Sequence, residues 1–188
     1  MMHAQILFTL FAVSALAFPT FTVPPATPWE AAPDSAVTCT TTDKVISHTA
    51  GIQLNQVLQD ACVAMMPPCA YPEQVSNDTA CPEITSWALK GVVSSIRDAT
   101  VENATNTNKL SGYKVEFSVT PASQNSAPVM WEPADCYGYL NHILMAKDTA
   151  SPKGCYAGSG AGIGDLTVGG ASSLTGTVFN VTIVKATA

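Results

Sequence analysis

The sequence predicts an α+β fold, with an antiparallel sheet, two helices packed on one face, and disulfide staples. Three observations carry this expectation. Residues 113–120 and 177–184 alternate apolar and polar side chains, as half-buried strands do. Residues 49–66 and 133–147 repeat their apolar positions with a helical period. The chain also holds six cysteines. Strands mixed with two helices, at spacings that rarely fit a βαβ unit, favour an antiparallel sheet with helices on one side. A β-sandwich is the second choice.

Taken along the chain, residues 5–17 form a short apolar run closed by Ala15-Leu16-Ala17, with Pro19 just beyond. This reads as a secretory signal cut after Ala17. The run is too short to span a bilayer, and no other stretch is long enough. The C-terminal residues 184–188 lack the apolar tail of a lipid-anchor signal. Residues 18–36 are proline-rich. Proline lacks an amide donor and fixes φ, so the segment is expected as an extended arm, disordered in preference to packed through Trp29. Residues 37–188 then make one disulfide-stabilised domain.

Within that domain, Leu54, Val57, Leu58, Ala61 and Met65 share one helical face; Thr49 is a candidate cap and Pro67-Pro68 a stop. Residues 85–97 read as a strand through Trp87 and Leu89, with Gly91 as a bulge. Residues 98–111 read as a polar loop. Tyr113, Val115, Phe117 and Val119 line one face of the next strand, and Lys114, Glu116, Ser118 and Thr120 the other. Pro133 suits a first helical turn, and Asp135 places negative charge at the positive end of that helix. Cys136, Leu140, Ile143 and Leu144 form its apolar stripe. Residues 155–170 are glycine-rich around a short strand at 165–168. In the last strand, Phe179, Val181 and Ile183 alternate with Asn180 and Thr182.

Eight Lys and Arg stand against fourteen Asp and Glu, a net charge of −6, and basic residues are not clustered. Binding to nucleic acid is therefore not expected, because no counterion-release term is available. Charged residues are 12% of the chain, against about 25% in an average domain. Ser, Thr, Asn and Gly must carry the surface, which suits a secreted protein bearing sugar. Three sequons agree with this: Asn77-Asp78-Thr79, Asn103-Ala104-Thr105 and Asn180-Val181-Thr182.

Cys39, Cys62, Cys69, Cys81, Cys136 and Cys155 all follow the expected cleavage site. An even count in a secreted chain implies three disulfides, for which fifteen pairings exist. Cys136 and Cys155 stand apart from the rest and are expected to pair. Closing that loop contributes roughly 3 kcal/mol on the chain-entropy model. The other four would pair among themselves around the Pro-rich stretch 67–82. Zinc is not expected, since the tightest spacing is Cys62-x6-Cys69. No cofactor is expected.

Catalytic signals are sparse. A Ser-His-Asp machine would have to use His48 or His142, and no G-x-S-x-G turn accompanies them. Glu132 and Asp135 could be a glycosidase pair, but helix capping explains both. Asp165 follows glycines, where turn chemistry explains it. Gly158 to Gly164 superficially suggests a phosphate loop. It lacks the lysine of that motif, and position 163 is Ile where G-x-G-x-x-G needs Gly. Trp29, Trp87 and Trp131 could stack on sugars, although core packing is commoner.

Pro133-Ala134-Asp135-Cys136, an amphipathic helix with Leu140 and Ile143, and Gly154-Cys155-Tyr156-Ala157-Gly158 together resemble fungal extracellular effectors with a necrosis-inducing, killer-toxin-like domain. The resemblance covers roughly residues 112–170. The helix-to-cysteine spacing is shorter than the family's, no cysteine follows Cys155, and the half from Cys39 to Cys81 has no counterpart. It implies a Cys136–Cys155 bridge, a protein acting at a host or competitor surface, and no catalytic residues to transfer.

The expected function is thus a secreted effector or toxin-like protein that binds an extracellular protein or glycan, with contact expected around the glycine-rich loop 156–164. A small polysaccharide hydrolase and a cell-wall glycoprotein are the alternatives. A hydrolase would show a cleft where His48 or His142 meets a carboxylate. A binding effector would show an exposed apolar patch.

Overall fold

The computed structural model describes residues 28–123, 128–145, 155–157 and 160–186. The expected signal segment, residues 18–27 of the arm, and Lys147 lie outside these residues. Among the described residues the fold is α+β, with antiparallel sheets, two α-helices and three disulfides.

The main sheet has five strands. They are β1 (Ala36–Thr40), β11 (Ile163–Thr167), β12 (Val178–Lys185), β7 (Tyr113–Thr120) and β4 (Val93–Arg97), side by side in that order. β12 and β7 pair over their whole length, from Val178 opposite Thr120 to Lys185 opposite Tyr113. Their alternation is as the sequence predicts. Val115, Phe117, Val119, Phe179 and Val181 are buried on one face. Asn180, Thr182, Glu116 and Ser118 lie on the other, each only part-exposed.

Both helices cover the buried face. The first, α1 (Leu54–Met65), packs against β4, and the second, α2 (Pro133–Leu144), packs against β11, β12 and α1. α1 buries Leu54, Val57, Leu58, Ala61, Cys62 and Met65, at the spacing read from the sequence. It begins after Gln53 without a side-chain cap, so Thr49 does not serve, and it ends before Pro67-Pro68. Arg97 Nη2 donates to the Asp60 carbonyl at 2.8 Å, fixing α1 to β4.

A second five-stranded sheet runs β6 (Lys109–Leu110), β5 (Val101–Asn103), β2 (Lys44–Ser47), β10 (Gly160–Ala161) and β9 (Tyr156–Ala157). A two-stranded ribbon pairs β3 (Trp87–Leu89) with β8 (Val129–Trp131), setting Trp87 opposite Trp131. Two sequence expectations fail here. Residues 98–111 are a β5–β6 hairpin rather than a loop, because backbone pairing needs no apolar pattern when the strands are two or three residues long. Gly91 is not a bulge; it lies in the connection between β3 and β4, which belong to different sheets.

The disulfides join Cys39 to Cys155, Cys62 to Cys136 and Cys69 to Cys81. The expected Cys136–Cys155 bridge, also implied by the resemblance, does not form. Cys136 sits on the inner stripe of α2 and faces Cys62 on α1, while Cys155 lies beside β1. Nearness in sequence was a poor guide because α2 turns Cys136 toward the other helix. Only Cys69–Cys81 stays within the Pro-rich stretch.

The arm is also corrected where it is described. Trp29 meets Tyr139 edge-on, with ring centroids 4.8 Å apart. The Ala32 amide donates to the Tyr139 hydroxyl at 3.3 Å, and the Gly169 amide to Ser35 Oγ at 3.0 Å. Residues 28–35 are therefore a strap tied to the body. Its prolines keep the strap out of any sheet, the Ser35 amide closes a turn onto the Ala32 carbonyl at 3.2 Å, and the Ala32 amide finds the Tyr139 hydroxyl.

Candidate functional site

The strap makes one wall of a cleft of about 340 Å³, lined by Glu30, Ala32, Ser86, Met130, Glu132, Asp135, Tyr139, Ser172, Ser173 and Leu174. Its floor is the corner where β8 gives way to α2. Glu132 is the residue before the helix, Pro133 opens it, and the side chains of Glu132 and Asp135 close a reciprocal capping box. The Glu132 amide donates to Asp135 Oδ2 at 3.0 Å. Tyr139 falls one turn after Asp135, so both project to the same side. The third wall is the turn at 172–174. Ser173 Oγ donates to the Met130 carbonyl at 2.8 Å, and the Met130 amide approaches the same oxygen at 3.2 Å.

Gly138 explains how the strap reaches the helix. A β-carbon there would overlap the indole of Trp29. The indole N–H donates to Asp135, and Tyr139 passes the contact inward, its ring 4.8 Å from that of Phe179. Burial pushes the Asp135 carboxyl above the usual carboxylate range, opposed by its hydrogen bonds from the Glu132 amide and the Trp29 indole. Burial likewise raises the Tyr139 phenol. The lining thus holds three carboxylates and several hydroxyls, with Met130 and Leu174 as apolar surface and, among the described residues, no Lys, Arg or His.

Neither His48 nor His142 lines this cleft. His48 stacks on Tyr156, with ring centroids 5.7 Å apart and planes 24° apart, and its Nε2 is buried with no hydrogen-bond partner among the described residues. His142 lies in the last turn of α2, half-buried. Asp165 sits on β11 and accepts from Asn180 Nδ2 at 3.3 Å. Among the described residues, no cluster of three or more His, Cys, Asp or Glu could hold a metal.

The glycine-rich stretch is not an exposed contact loop where it is described. Residues 160–164 are all buried. Here glycine permits close crossings of backbone: a β-carbon on Gly162 would overlap the Cys155 carbonyl, and one on Gly164 would overlap the Thr38 carbonyl. Gly158 and Ser159 lie outside the described residues. Of the tryptophans, Trp131 is 2% exposed and belongs to the core, Trp87 is half-buried across from it, and Trp29 holds the strap. They do not form a joint platform: Trp29 is committed to α2, and the other two to the ribbon. Exposed apolar side chains do occur, at Ile52, Ile84, Val92, Ile96 and Met145.

The three sequons differ in setting. Asn77 is exposed in a turn of the loop closed by Cys69–Cys81. Asn103 opens the β5–β6 hairpin tip. Asn180 is in the middle of β12.

Sequence reading missed the Trp29–Gly138–Asp135 contact that builds the cleft. The available signal was a glycine in the interior of a predicted helix, which marks a close approach by another group. The chain matches no family model, no curated protein and no solved structure. No described helix is long and apolar enough to cross a membrane. Three disulfides and no free cysteine fit a protein of an oxidising, extracellular compartment.

Proposed function

We propose that the protein is a secreted effector or toxin-like molecule of the small, cysteine-rich fungal kind, acting on a host or competitor by binding rather than by catalysis. The observation that carries this reading is the cleft under the strap. Its acids Glu132 and Asp135 are engaged as helix caps, its walls are joined by hydrogen bonds from the strap to α2 and from the 172–174 turn to β8, and a disulfide ties α2 to α1. A preorganised site loses little freedom when a partner enters, so modest contacts suffice for affinity. The lining offers carboxylate and hydroxyl acceptors beside a small apolar surface. That chemistry suits the hydroxyls of an extracellular glycan or a basic side chain of a surface protein.

The test applies the purified, oxidised protein to host tissue and, in parallel, to a panel of soluble and insoluble polysaccharides. The expected result is a cell response or retention on one target with no sugar released. Both should be lost with Glu30→Arg, which reverses charge at the cleft rim, and kept with Lys109→Ala on the exposed β6. Sugar release by the unaltered protein would overturn the reading. Tight retention on insoluble polysaccharide with no effect on cells would replace it with a cell-wall role.

One observation favours a hydrolase as the second reading. A carboxyl raised by burial, close to a second acid, is how glycosidases obtain a general acid. In that case Asp135→Asn would abolish sugar release while leaving retention intact.

A further inference from the structure

We propose that Asn103 and Asn77 are N-glycan acceptor sites and that Asn180, despite its equally complete sequon, stays unmodified. The proposal rests on passage through the secretory pathway, and the structure separates the three sites. At the hairpin tip, Asn103 Oδ1 accepts from the Thr105 amide at 3.0 Å and the Asn106 amide at 3.3 Å. The Thr107 amide donates to the Asn103 carbonyl, and the Asn103 amide to the Asn108 carbonyl, both at 2.9 Å. These bonds hold the carboxamide by its oxygen, and no bond from Nδ2 is among them. Thr105, whose hydroxyl completes the sequon, is exposed. Every one of these contacts spans five residues or fewer. β5 also pairs with β2, setting Lys44 opposite Asn103, and the Ala104 amide donates to the Asp43 carbonyl at 2.8 Å; these partners precede Asn103 in the chain, and none of them engages its Nδ2. Asn77, Asp78 and Thr79 are exposed in a similarly local turn, where the Thr79 amide donates to the Ser76 carbonyl at 2.9 Å.

Asn180 is placed differently. Its strand is hydrogen-bonded on both sides, to β11 and to β7, and in register it stands between Asp165 and Ser118. The nitrogen that would carry the sugar points to protein acceptors, the Gly164 carbonyl at 3.4 Å and Asp165 Oδ1 at 3.3 Å. Both acceptors lie on β11, 16 and 15 residues earlier in the chain, so at this site sugar transfer competes with the docking of β12 on β11, which occupies the acceptor nitrogen. Asn103 and Asn180 are both part-exposed in strands paired on both sides; what separates them is the engaged Nδ2 of Asn180 and the exposure of the sequon hydroxyl, Thr105 being exposed and Thr182 only part-exposed.

In the reaction, Nδ2 attacks the anomeric carbon of an oligosaccharide carried on a lipid diphosphate. The N–C bond forms, the bond from that carbon to the phosphate oxygen breaks, the lipid diphosphate leaves, and one amide proton passes to the transferase. The transferase and the lipid-linked donor are supplied by the secretory compartment.

The experiment expresses the full chain in a eukaryotic secretory host in two forms, with its own N-terminus and with a strong heterologous leader ahead of it. Peptide mass spectrometry follows, after enzymatic release of glycans in heavy-oxygen water. With the heterologous leader, label is expected at Asn103 and Asn77 and not at Asn180. Thr105→Ala and Thr79→Ala should each remove the mass of one glycan, and Thr182→Ala should remove none. An unlabelled Asn103, an unlabelled Asn77, or an Asn180 occupied in most molecules would overturn the proposal. Failure of the first form alone to leave the cell overturns instead the reading of residues 1–17 as a signal, because entry of the second form does not depend on it.

Discussion

Removing the Cys62–Cys136 bridge by the paired substitution Cys62→Ala and Cys136→Ala should destabilise the protein more than removing Cys69–Cys81 in the same way. The two loops differ in length and setting. Cys62 and Cys136 are 74 residues apart and both wholly buried, whereas Cys69 and Cys81 are 12 apart and part-exposed. The chain-entropy relation gives roughly 4.5 kcal/mol for the first loop and roughly 3 kcal/mol for the second. Two sulfur atoms lost from a close-packed helix interface add about 1 kcal/mol each, a term the part-exposed pair lacks. The gap between the variants is then about 3.5 kcal/mol. With a urea m-value of about 2 kcal/mol per molar for a chain of this size, it becomes a difference of more than about 1 M in midpoint. Urea titration followed by the fluorescence of the tryptophans, Trp131 in the core above all, measures it directly. Equal midpoints, or a lower midpoint for the Cys69/Cys81 variant, would refute the reasoning. Recovery of a Cys136–Cys155 peptide from the unreduced protein would refute the pairing itself.

Three other outcomes follow from the same geometry. Gly138→Val should expel Trp29 from α2 and cost about 2 kcal/mol, through the lost aromatic pair and the lost indole bond to Asp135; Trp29→Ala should cost a similar amount, and the double variant should be far less than additive in the same urea titration. Gly162→Ala should lower secreted yield and thermal midpoint, because its β-carbon meets the Cys155 carbonyl at a crossing that a disulfide and two strands hold in place; an unchanged midpoint would show that the crossing can relax. The Asp135 carboxyl is raised in the folded state, so the folded protein holds this proton more tightly than the unfolded chain. Its contribution to stability therefore grows as pH falls from neutrality through the folded value toward the ordinary carboxylate range. The midpoint of the unaltered protein relative to Asp135→Asn should rise over that window, and a flat or falling difference would contradict the burial of this group.

The central pair of the main sheet and both helices were legible because each is a single amphipathic period, whereas β1 was not read as a strand and β4 was read as part of one longer strand. β7 and β12 alternate without a break, and the stripes of α1 and α2 repeat over three turns. The capping role of Glu132 and Asp135 was legible for the same reason: capping acts within four residues. What could not be read depends on distant parts of the chain meeting. Cys39 finds Cys155 only because β1 pairs with β11, and that pairing leaves no trace in either strand alone. The cleft needs Trp29 to cross α2 at Gly138, more than a hundred residues away in sequence. The glycines at 160–164 suggested an exposed loop, yet their lack of side chains serves burial.

The order of strands in the main sheet bears on how the molecule is made. β12 lies between β11 and β7, so it joins two halves of the sheet that otherwise share no strand pairing. It is also the last of the described strands to leave the ribosome. Until it arrives, β7 and β11 each present a bare row of backbone donors and acceptors beside apolar side chains, the condition in which chains recruit one another into aggregates. Assembly of the sheet must therefore wait for synthesis of β12. A product ending before Val178 would have two sticky half-sheets and nothing to seal them.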